Sequence, residues 1–145
     1  MLLTKECDYG VRIIRALSTD EKKTVEAICR AEYIPDKYAY KILKKLALAG
    51  FVRSLRGRDG GYQLSKTLDE FTIYDVVAAI DGNLFIFECL REDKYCPVKT
   101  NEGNCSVHLE FERLQTLLID EMRAKTMREV LGLALEEPPG ASPSI

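Results

Sequence analysis

The feature that most constrains the fold of this chain is a turn with glycines at positions 57, 60 and 61. Two short runs rich in strand-forming residues flank it, from Phe51 to Arg56 and from Tyr62 to Leu64. A glycine-containing loop of this length between two such runs indicates a β-hairpin. We therefore expect a small hairpin in the middle of a chain whose other patterns are helical.

Upstream of the hairpin, apolar residues recur at helical spacing in three segments. They predict helices at about residues 2–18, 24–32 and 36–49. A turn should separate the second helix from the third, because the residue before Pro35 is pushed out of helical geometry. Gly50 should end the third helix, since glycine is favoured just past a helix C-terminus.

Downstream of the hairpin, the pattern again predicts helices. Thr72 and Asp75 have the spacing of a capping pair at the start of the first of them. The expected elements are a helix at 72–80, a short helix or strand at 84–90, a long helix at 106–125 and a short helix at 126–133. The fold class predicted from these patterns is mainly α with a small β-hairpin.

Positive charge is concentrated in one part of the chain. The 145 residues carry a formal net charge of −2, yet residues 37–66 contain eight basic side chains and one acidic one, Asp59. A concentrated positive segment in an otherwise acidic chain is typical of a phosphate-binding surface. A solvated helix face is the alternative interpretation of the charge alone.

The order of helix, turn, basic helix and hairpin is that of a winged helix-turn-helix, in which the hairpin is the wing. The third helix fits the major groove, and glycines in the wing allow the backbone to approach phosphates. For Lys44 and Lys45, phosphate contact and plain solvation both fit the pattern. The candidate DNA contacts are Lys37, Tyr40, Lys41 and Lys44 on the helix and Arg56, Gly57, Arg58, Gly60 and Gly61 in the wing.

A second constellation lies further along the chain. Cys89, Cys96, Cys105 and the only histidine, His108, fall within 20 residues and form the pattern C-x6-C-x8-C-x2-H. Three thiolates and one imidazole suffice to fill four metal positions. Both an iron–sulfur cluster and a tetrahedral zinc ion accept such donors, although zinc sites commonly use more closely spaced cysteine pairs.

The other two cysteines have simpler interpretations. Cys29 falls on an apolar helix face, which favours a small core residue. Cys7 is either a core residue or a neighbour of the metal site. The chain lacks a second histidine, a phosphate-binding loop and a helical His-Glu-x-x-His motif, so we expect no enzyme.

The predicted long helix has apolar residues on more than one side. Phe111, Leu114 and Leu118 form one stripe, which Leu117 and Ile119 widen. A helix that is apolar on two sides has two packing partners. We favour a dimerisation helix, because DNA-reading helices usually work in two-fold pairs. A helix that covers the core of a monomer is the alternative.

Three segments resemble the IscR–NsrR–CymR family of bacterial winged-helix regulators. They are the run from Tyr38 to Leu64, the first five residues and the run from Thr72 to Gly82, and the likeness extends over about residues 1–133. The resemblance implies a homodimeric transcription regulator whose third helix enters the major groove. It also implies that Tyr38, Lys41, Arg56 and Gly57 contact DNA.

The resemblance also bears on the cysteines. Regulators similar to IscR or NsrR carry three cysteines here and bind an iron–sulfur cluster, which implies Cys89, Cys96 and Cys105 as ligands. Their intervals of six and eight residues are longer than in the best-known relatives. His108 as fourth ligand implies a [2Fe-2S] cluster, which we favour, and Asp8 from the other subunit implies a [4Fe-4S] cluster.

The sequence thus predicts a cytoplasmic, homodimeric regulator that binds a double-stranded DNA operator and no membrane. It would sense iron–sulfur status, redox state or nitric oxide. The rivals are a cluster-free or zinc-binding regulator that acts through a partner protein, and an electron-transfer or metal-carrier protein. We expect four parts: a winged helix-turn-helix at 1–82, a cluster loop at 83–105, a dimerisation helix and short helix at 106–135, and a disordered tail at 136–145.

Overall fold

The computed structural model describes residues 3–96 and 105–134. Their regular elements are six α-helices, one antiparallel hairpin and one 3-10 turn, which confirms the mainly α fold with a β wing. In chain order they are α1 (Lys5–Ala16), α2 (Val25–Glu32), α3 (Asp36–Leu48), β1 (Val52–Leu55), β2 (Gly61–Leu64), α4 (Ile73–Asp81), the 3-10 turn (Glu88–Leu90), α5 (Ser106–Arg123) and α6 (Met127–Val130).

Threonine hydroxyls set the start of four helices. Thr4, Thr24, Thr72 and Thr126 each accept a hydrogen bond from the backbone N–H three residues later, which satisfies one of the free amides of the first turn. The Thr72 and Asp75 capping pair predicted from the sequence is confirmed, with both reciprocal bonds formed.

Some predicted boundaries were too wide. The first helix starts at Lys5, because Thr4 is its extended N-cap, and it stops at Ala16 instead of residue 18. The short C-terminal helix likewise covers only Met127–Val130. Residues 84–87 form neither helix nor strand, and only the 3-10 turn at Glu88–Leu90 follows them. The Ile86 N–H in this run donates to the Gln115 side chain of α5 instead of to a backbone carbonyl of a helix or strand.

The core lies between α1, α2, α3 and α4. Ile13, Leu43 and Val76 are fully buried, one on each of α1, α3 and α4. Cys29 of α2 belongs to the same cluster, as its apolar helix face predicted. Since every helix of this group contributes apolar side chains to one cluster, the group fixes the position of α3 relative to its neighbours.

The wing is attached to the helices by backbone hydrogen bonds. Val52 pairs with Leu64 and Leu55 pairs with Gly61 across the hairpin. In addition to its pairing with β1, strand β2 bonds to the residue before the cap of α2: Tyr62 and Lys23 exchange two backbone hydrogen bonds of 2.8 and 2.9 Å. A Cβ on Gly61 would lie 2.7 Å from the Lys23 carbonyl oxygen, so this close approach requires glycine.

The end of the described chain returns to the first part of the molecule. Met127 is fully buried, and its N–H donates to the Phe71 carbonyl at 2.9 Å. Arg128 donates to the Asp69 carboxylate at 2.7 Å. These contacts dock α6 beside the start of α4. The division of the chain into parts at residues 82 and 105 stays a prediction, and the disordered tail predicted at 136–145 lies outside the described residues.

The longest helix, α5, is packed very differently. None of its 18 residues is buried in a single copy of the chain. Phe111 stacks on Phe87, with ring centroids 3.5 Å apart, and the Gln115 side chain accepts a bond from the Ile86 N–H. Among the described residues, no helix is both long and apolar enough to cross a bilayer.

Candidate nucleic-acid interface and cysteine segment

The turn between α2 and α3 presents a large aromatic side chain to solvent. Tyr33, at the C-cap of α2, has a left-handed backbone with φ of 54° and is 87% exposed. Bulky residues rarely adopt this conformation, since it strains the Cβ against the backbone. Tyr33 therefore occupies a conformation that glycine would favour, without burial of its ring to compensate.

The polar side of α3 is the surface that the charge pattern indicated. Tyr40 and Lys44 are exposed on this helix. Lys37 is exposed as well, with its ammonium 5.0 Å from the centroid of the Tyr38 ring. Tyr38 itself is half-buried, and its ring lies 5.5 Å from that of Tyr9, so part of its surface is used for packing within the chain.

Two lysines of α3 are already paired with an acid. Glu6 Oε1 lies 2.5 Å from Lys41 Nζ, and Glu6 Oε2 lies 3.0 Å from Lys45 Nζ. Hydrogen bonds from Lys41 and then Lys45 hold the pKa of the Glu6 carboxyl below its ordinary value. The same carboxylate raises the pKa of Lys41. Glu6 therefore stays ionised and ties the first turn of α1 to α3.

The tip of the wing is open to solvent. Arg56, Gly57 and Arg58 are exposed, and Gly57 has a φ of 112°. Gly60 closes the turn, with its N–H donating to the Gly57 carbonyl at 3.0 Å. Gly60 and Gly61 are half-buried, and Gly61 faces the Lys23 backbone. The arginines are thus the wing side chains available to an external anion.

The cysteines that the sequence grouped are all free thiols. Cys89 lies in the 3-10 turn, Cys96 lies seven residues later, and Cys105 is the N-cap of α5; all three are half-buried. Cys105 and His108 share the first turn of α5. The His108 Nε2 lies 3.1 Å from the Glu112 carboxylate.

Cys89, Cys96, Cys105 and His108 all lie among the described residues, and the structure does not bring three of them together. Within residues 3–96 and 105–134, no group of three or more His, Cys, Asp or Glu side chains is placed to hold a metal ion. Residues 97–104, which join Cys96 to Cys105, are not among the described ones. The chemistry of the donor set, three free thiols and an imidazole, fits soft metal centres such as iron–sulfur clusters.

Asp8 and Cys7 lie next to each other on α1 in different environments. Asp8, the alternative fourth ligand, is exposed and forms a 2.9 Å ion pair with Arg12. Cys7 is buried, and its thiol donates to the Asp81 carboxylate at 3.0 Å. Burial, together with that carboxylate, raises the pKa of Cys7 to about 11. Cys7 is therefore a protonated packing residue in this state.

Three residues at this surface escaped the sequence analysis. Tyr33 was treated only as part of a turn, although its position four residues before Lys37 places it at the entrance of α3. Glu6 and Lys23 carry no local signal, because their partners Lys41 and Tyr62 are distant in sequence. Only packing of the whole module brings these pairs together.

A two-helix reader with a basic second helix and an adjacent wing defines the class of winged helix-turn-helix transcription regulators. Residues 3–132 match the model of the Rrf2 family, described as iron-dependent transcriptional regulators. The chain belongs to this family. It is a transcription regulator and not an enzyme, as the sequence predicted.

Relatives and solved structures agree with this assignment. The chain is 32% identical to protein aau3 of Rhizobium meliloti over 147 aligned residues, which cover 95% of each chain. It is 34% identical over 92 residues to the regulator NsrR of Geobacillus kaustophilus, over 61% of this chain and 63% of that one.

The fold is similar to that of T. potens IscR, with a TM-score of 0.72 and 18% identity, over 91% of this chain and 87% of that chain. It is also similar to CymR, the global cysteine regulator of B. subtilis, with a TM-score of 0.70 and 19% identity, over 91% and 97%. The resemblance inferred from the sequence is confirmed.

Proposed function

We propose that this chain is a homodimeric, DNA-binding regulator of the cytoplasm that senses iron–sulfur status, redox state or nitric oxide through a bound iron–sulfur cluster. The observation that carries the proposal is the presence, in one chain of this family, of an exposed basic reading helix and three free, half-buried cysteines. The helix supplies the affinity for DNA, and the cysteines supply the sensor.

The proposed DNA surface combines α3 with the wing. Side chains that the fold leaves exposed would make the contacts, while Tyr38 and the wing glycines would shape the surface. Arginine and lysine contacts to phosphate position a protein on DNA, and base contacts specify the site. The proposed contacts are Lys37, Tyr38, Tyr40, Lys41, Lys44, Arg56, Gly57, Arg58, Gly60 and Gly61.

Cys89, Cys96 and Cys105 would hold the cluster, with His108 as fourth ligand. Their free thiols and partial burial support this assignment, since thiolate ligation requires accessible, unpaired sulfur. A bound [2Fe-2S] cluster, which we favour over [4Fe-4S], would supply a one-electron redox centre sensitive to oxidants. Asp8 of a second copy is the alternative ligand, and it would have to leave Arg12 to serve.

Two apolar surfaces support the proposed dimer. The helix α5 exposes Val107, Leu109, Leu114 and Leu117 in a single copy of the chain. A shallow apolar groove elsewhere is lined by Leu3, Val11, Ile73 and Val77, among others. Large apolar patches on a protein surface usually mark an interface. A second copy of the chain would cover these surfaces and would pair the two reading helices.

The positions of the proposed cluster ligands support a coupling between the cluster and the DNA-binding helix α3. Cys105 and His108 start α5, and α5 packs on α4 and on the 3-10 turn that contains Cys89. The C-terminal end of α4 in turn touches α3, where the Ile80 carbonyl accepts from Lys45. A coupling of about 1–3 kcal/mol, roughly 5- to 150-fold in operator affinity, would suffice for regulation.

Absorption and EPR spectra of anaerobically purified protein test the sensor, together with iron and sulfide counts per subunit. We expect two irons and two sulfides, and binding of a duplex from its own promoter region that changes when the cluster is lost. Bound zinc or a metal-free protein with unchanged operator binding would overturn the sensor and favour a regulator acting through a partner protein. Failure to bind that duplex in any form would overturn the DNA-binding proposal.

A further inference from the structure

One carboxylate of α1 holds two lysines of the reading helix. The Glu6 side chain is only 18% exposed and lies between α1 and α3. Each of its oxygens takes one ammonium group, Lys41 at 2.5 Å and Lys45 at 3.0 Å. An acid in this position meets the polar side of α3, which carries the lysines proposed to face DNA.

The two lysines are held to different degrees. Lys45 is 31% exposed and also donates to the Ile80 carbonyl at 2.7 Å, so it is anchored to both α1 and α4. Lys41 is 57% exposed, and among the described residues its ammonium hydrogen-bonds to Glu6. Lys41 can therefore leave Glu6 for an external anion, whereas Lys45 would give up two contacts.

We propose that Glu6 is an intramolecular substitute for a DNA phosphate at Lys41 and thereby limits the operator affinity of this protein. The inference rests on the proposed DNA-reading role of α3. Lys41 binds phosphate only after it exchanges one oxygen anion for another, and the carboxylate left behind repels the DNA backbone. Lys45 stays bound to Ile80 and acts as the brace that keeps α3 in place during the exchange.

Typical energies of ion pairs and phosphate contacts give the expected size of the change in DNA affinity. A partly exposed ion pair contributes up to about 1 kcal/mol, which corresponds to roughly fivefold in affinity. A lysine that gains a phosphate also makes binding more dependent on salt, with a slope steeper by about 0.9 per phosphate neutralised. Removal of the Glu6 charge should therefore tighten binding and steepen its salt dependence together.

The test is a titration of the full-length Glu6→Gln variant with a fluorescent duplex from its own promoter region, at several potassium chloride concentrations. We expect binding roughly 2- to 5-fold tighter than wild type and a steeper salt slope. Glu21→Gln is the matched control, because it removes the same charge from an exposed position without an ion pair among the described residues. Its affinity should stay within error of wild type.

A double-mutant cycle distinguishes competition between Glu6 and DNA for Lys41 from a purely structural role of Glu6. In a Lys41→Ala background, Glu6→Gln should tighten binding less than it does in wild type, because competition for Lys41 is gone and only the repulsion of DNA by the carboxylate remains. A Glu6→Gln variant with unchanged or weaker affinity would overturn the inference while leaving the DNA-binding proposal intact. Absence of duplex binding by wild type and variant alike would overturn both. Glu6→Asp, which keeps the charge on a shorter stem, covers the case in which Glu6→Gln fails to fold and should give an intermediate gain.

Discussion

Apolar residues at helical spacing predict both α1 and α5, the first and the last long helices of the chain. The fold, however, buries the two helices to different extents. The helix α1 buries six of its 12 residues, whereas α5 buries none of its 18 in a single copy. The first is enclosed by α2, α3 and α4, and the second is covered on one side only. The helix α1 therefore obtains its packing within the chain, whereas a second copy covers α5 in the proposed dimer.

The difference separates two sources of stability. The helices α1 to α4 and the wing, together called the reading module, share one apolar cluster. Burial of apolar surface is the dominant favourable term in folding. In contrast, Phe111 and Gln115 give α5 a few contacts to residues 86 and 87. We expect the module to keep its structure when the sensor region changes state, which is what a regulator needs.

The largest expected effect concerns the cysteine segment. Cys96→Ala should reduce the iron and sulfide content from near stoichiometric to near zero, because it removes one of three thiolate ligands. The thermal unfolding of the reading module, followed by circular dichroism, should stay close to that of the metal-free wild type. Cys29→Ala is the control, and it should retain the metal because Cys29 is buried in the core. Full iron content in Cys96→Ala would contradict the ligand assignment.

The second effect measures the core. Leu43→Ala should lower the free energy of unfolding by about 2–5 kcal/mol, since Leu43 is fully buried and a cavity would remain. Leu114→Ala on α5 should cost less than about 1 kcal/mol in dilute, monomeric protein, because that side chain is exposed there. Urea denaturation measures both. Equal losses would mean that α5 is part of the same core.

The third effect concerns the second copy. Leu117→Glu should weaken dimerisation at least about tenfold, because it places a charge in the proposed apolar interface. Sedimentation equilibrium gives the dissociation constant. Leu48→Glu makes the same change at a leucine that is 81% exposed at the end of α3, against 49% for Leu117, and it should leave the dimer intact. A monomeric wild type would remove the dimer from the proposal.

The smallest effect lies at the entrance of the reading helix. Tyr33→Gly should raise the free energy of unfolding by up to about 1 kcal/mol, because glycine adopts the left-handed backbone of that residue without strain. Tyr40→Gly, inside α3, should lower it by about 0.5 kcal/mol through lost helix propensity. Thermal melts of the two variants should thus shift in opposite directions.

Local signals explain how much of the fold was predictable. The wing followed from its glycines, and the start of α4 followed from Thr72 and Asp75, because both features depend on residues a few positions apart. The start of the first helix was wrong because an N-cap hydroxyl at Thr4 outweighs the apolar residues before it.

Long-range contacts explain what was missed. The Glu6 and Lys41 pair joins residues 35 positions apart, and periodicity carries no information on such pairs. Lys41 and Tyr38 were predicted from charge and resemblance as DNA contacts, without the internal partners that the fold gives them. The metal ligands stay a prediction, since their spacing in sequence does not determine how the thiols approach one another.

The double backbone link between Lys23 and Tyr62 has a mechanical consequence. Lys23 immediately precedes Thr24, the N-cap of α2, so main-chain hydrogen bonds join the hairpin to α2. The side chains of Lys23 and Tyr62 take no part in these bonds, and the link depends instead on the absence of a Cβ at Gly61. The spacing between the wing and the helices is consequently set by the main chain, while substitutions of exposed side chains on the wing and on α3 change what this surface binds.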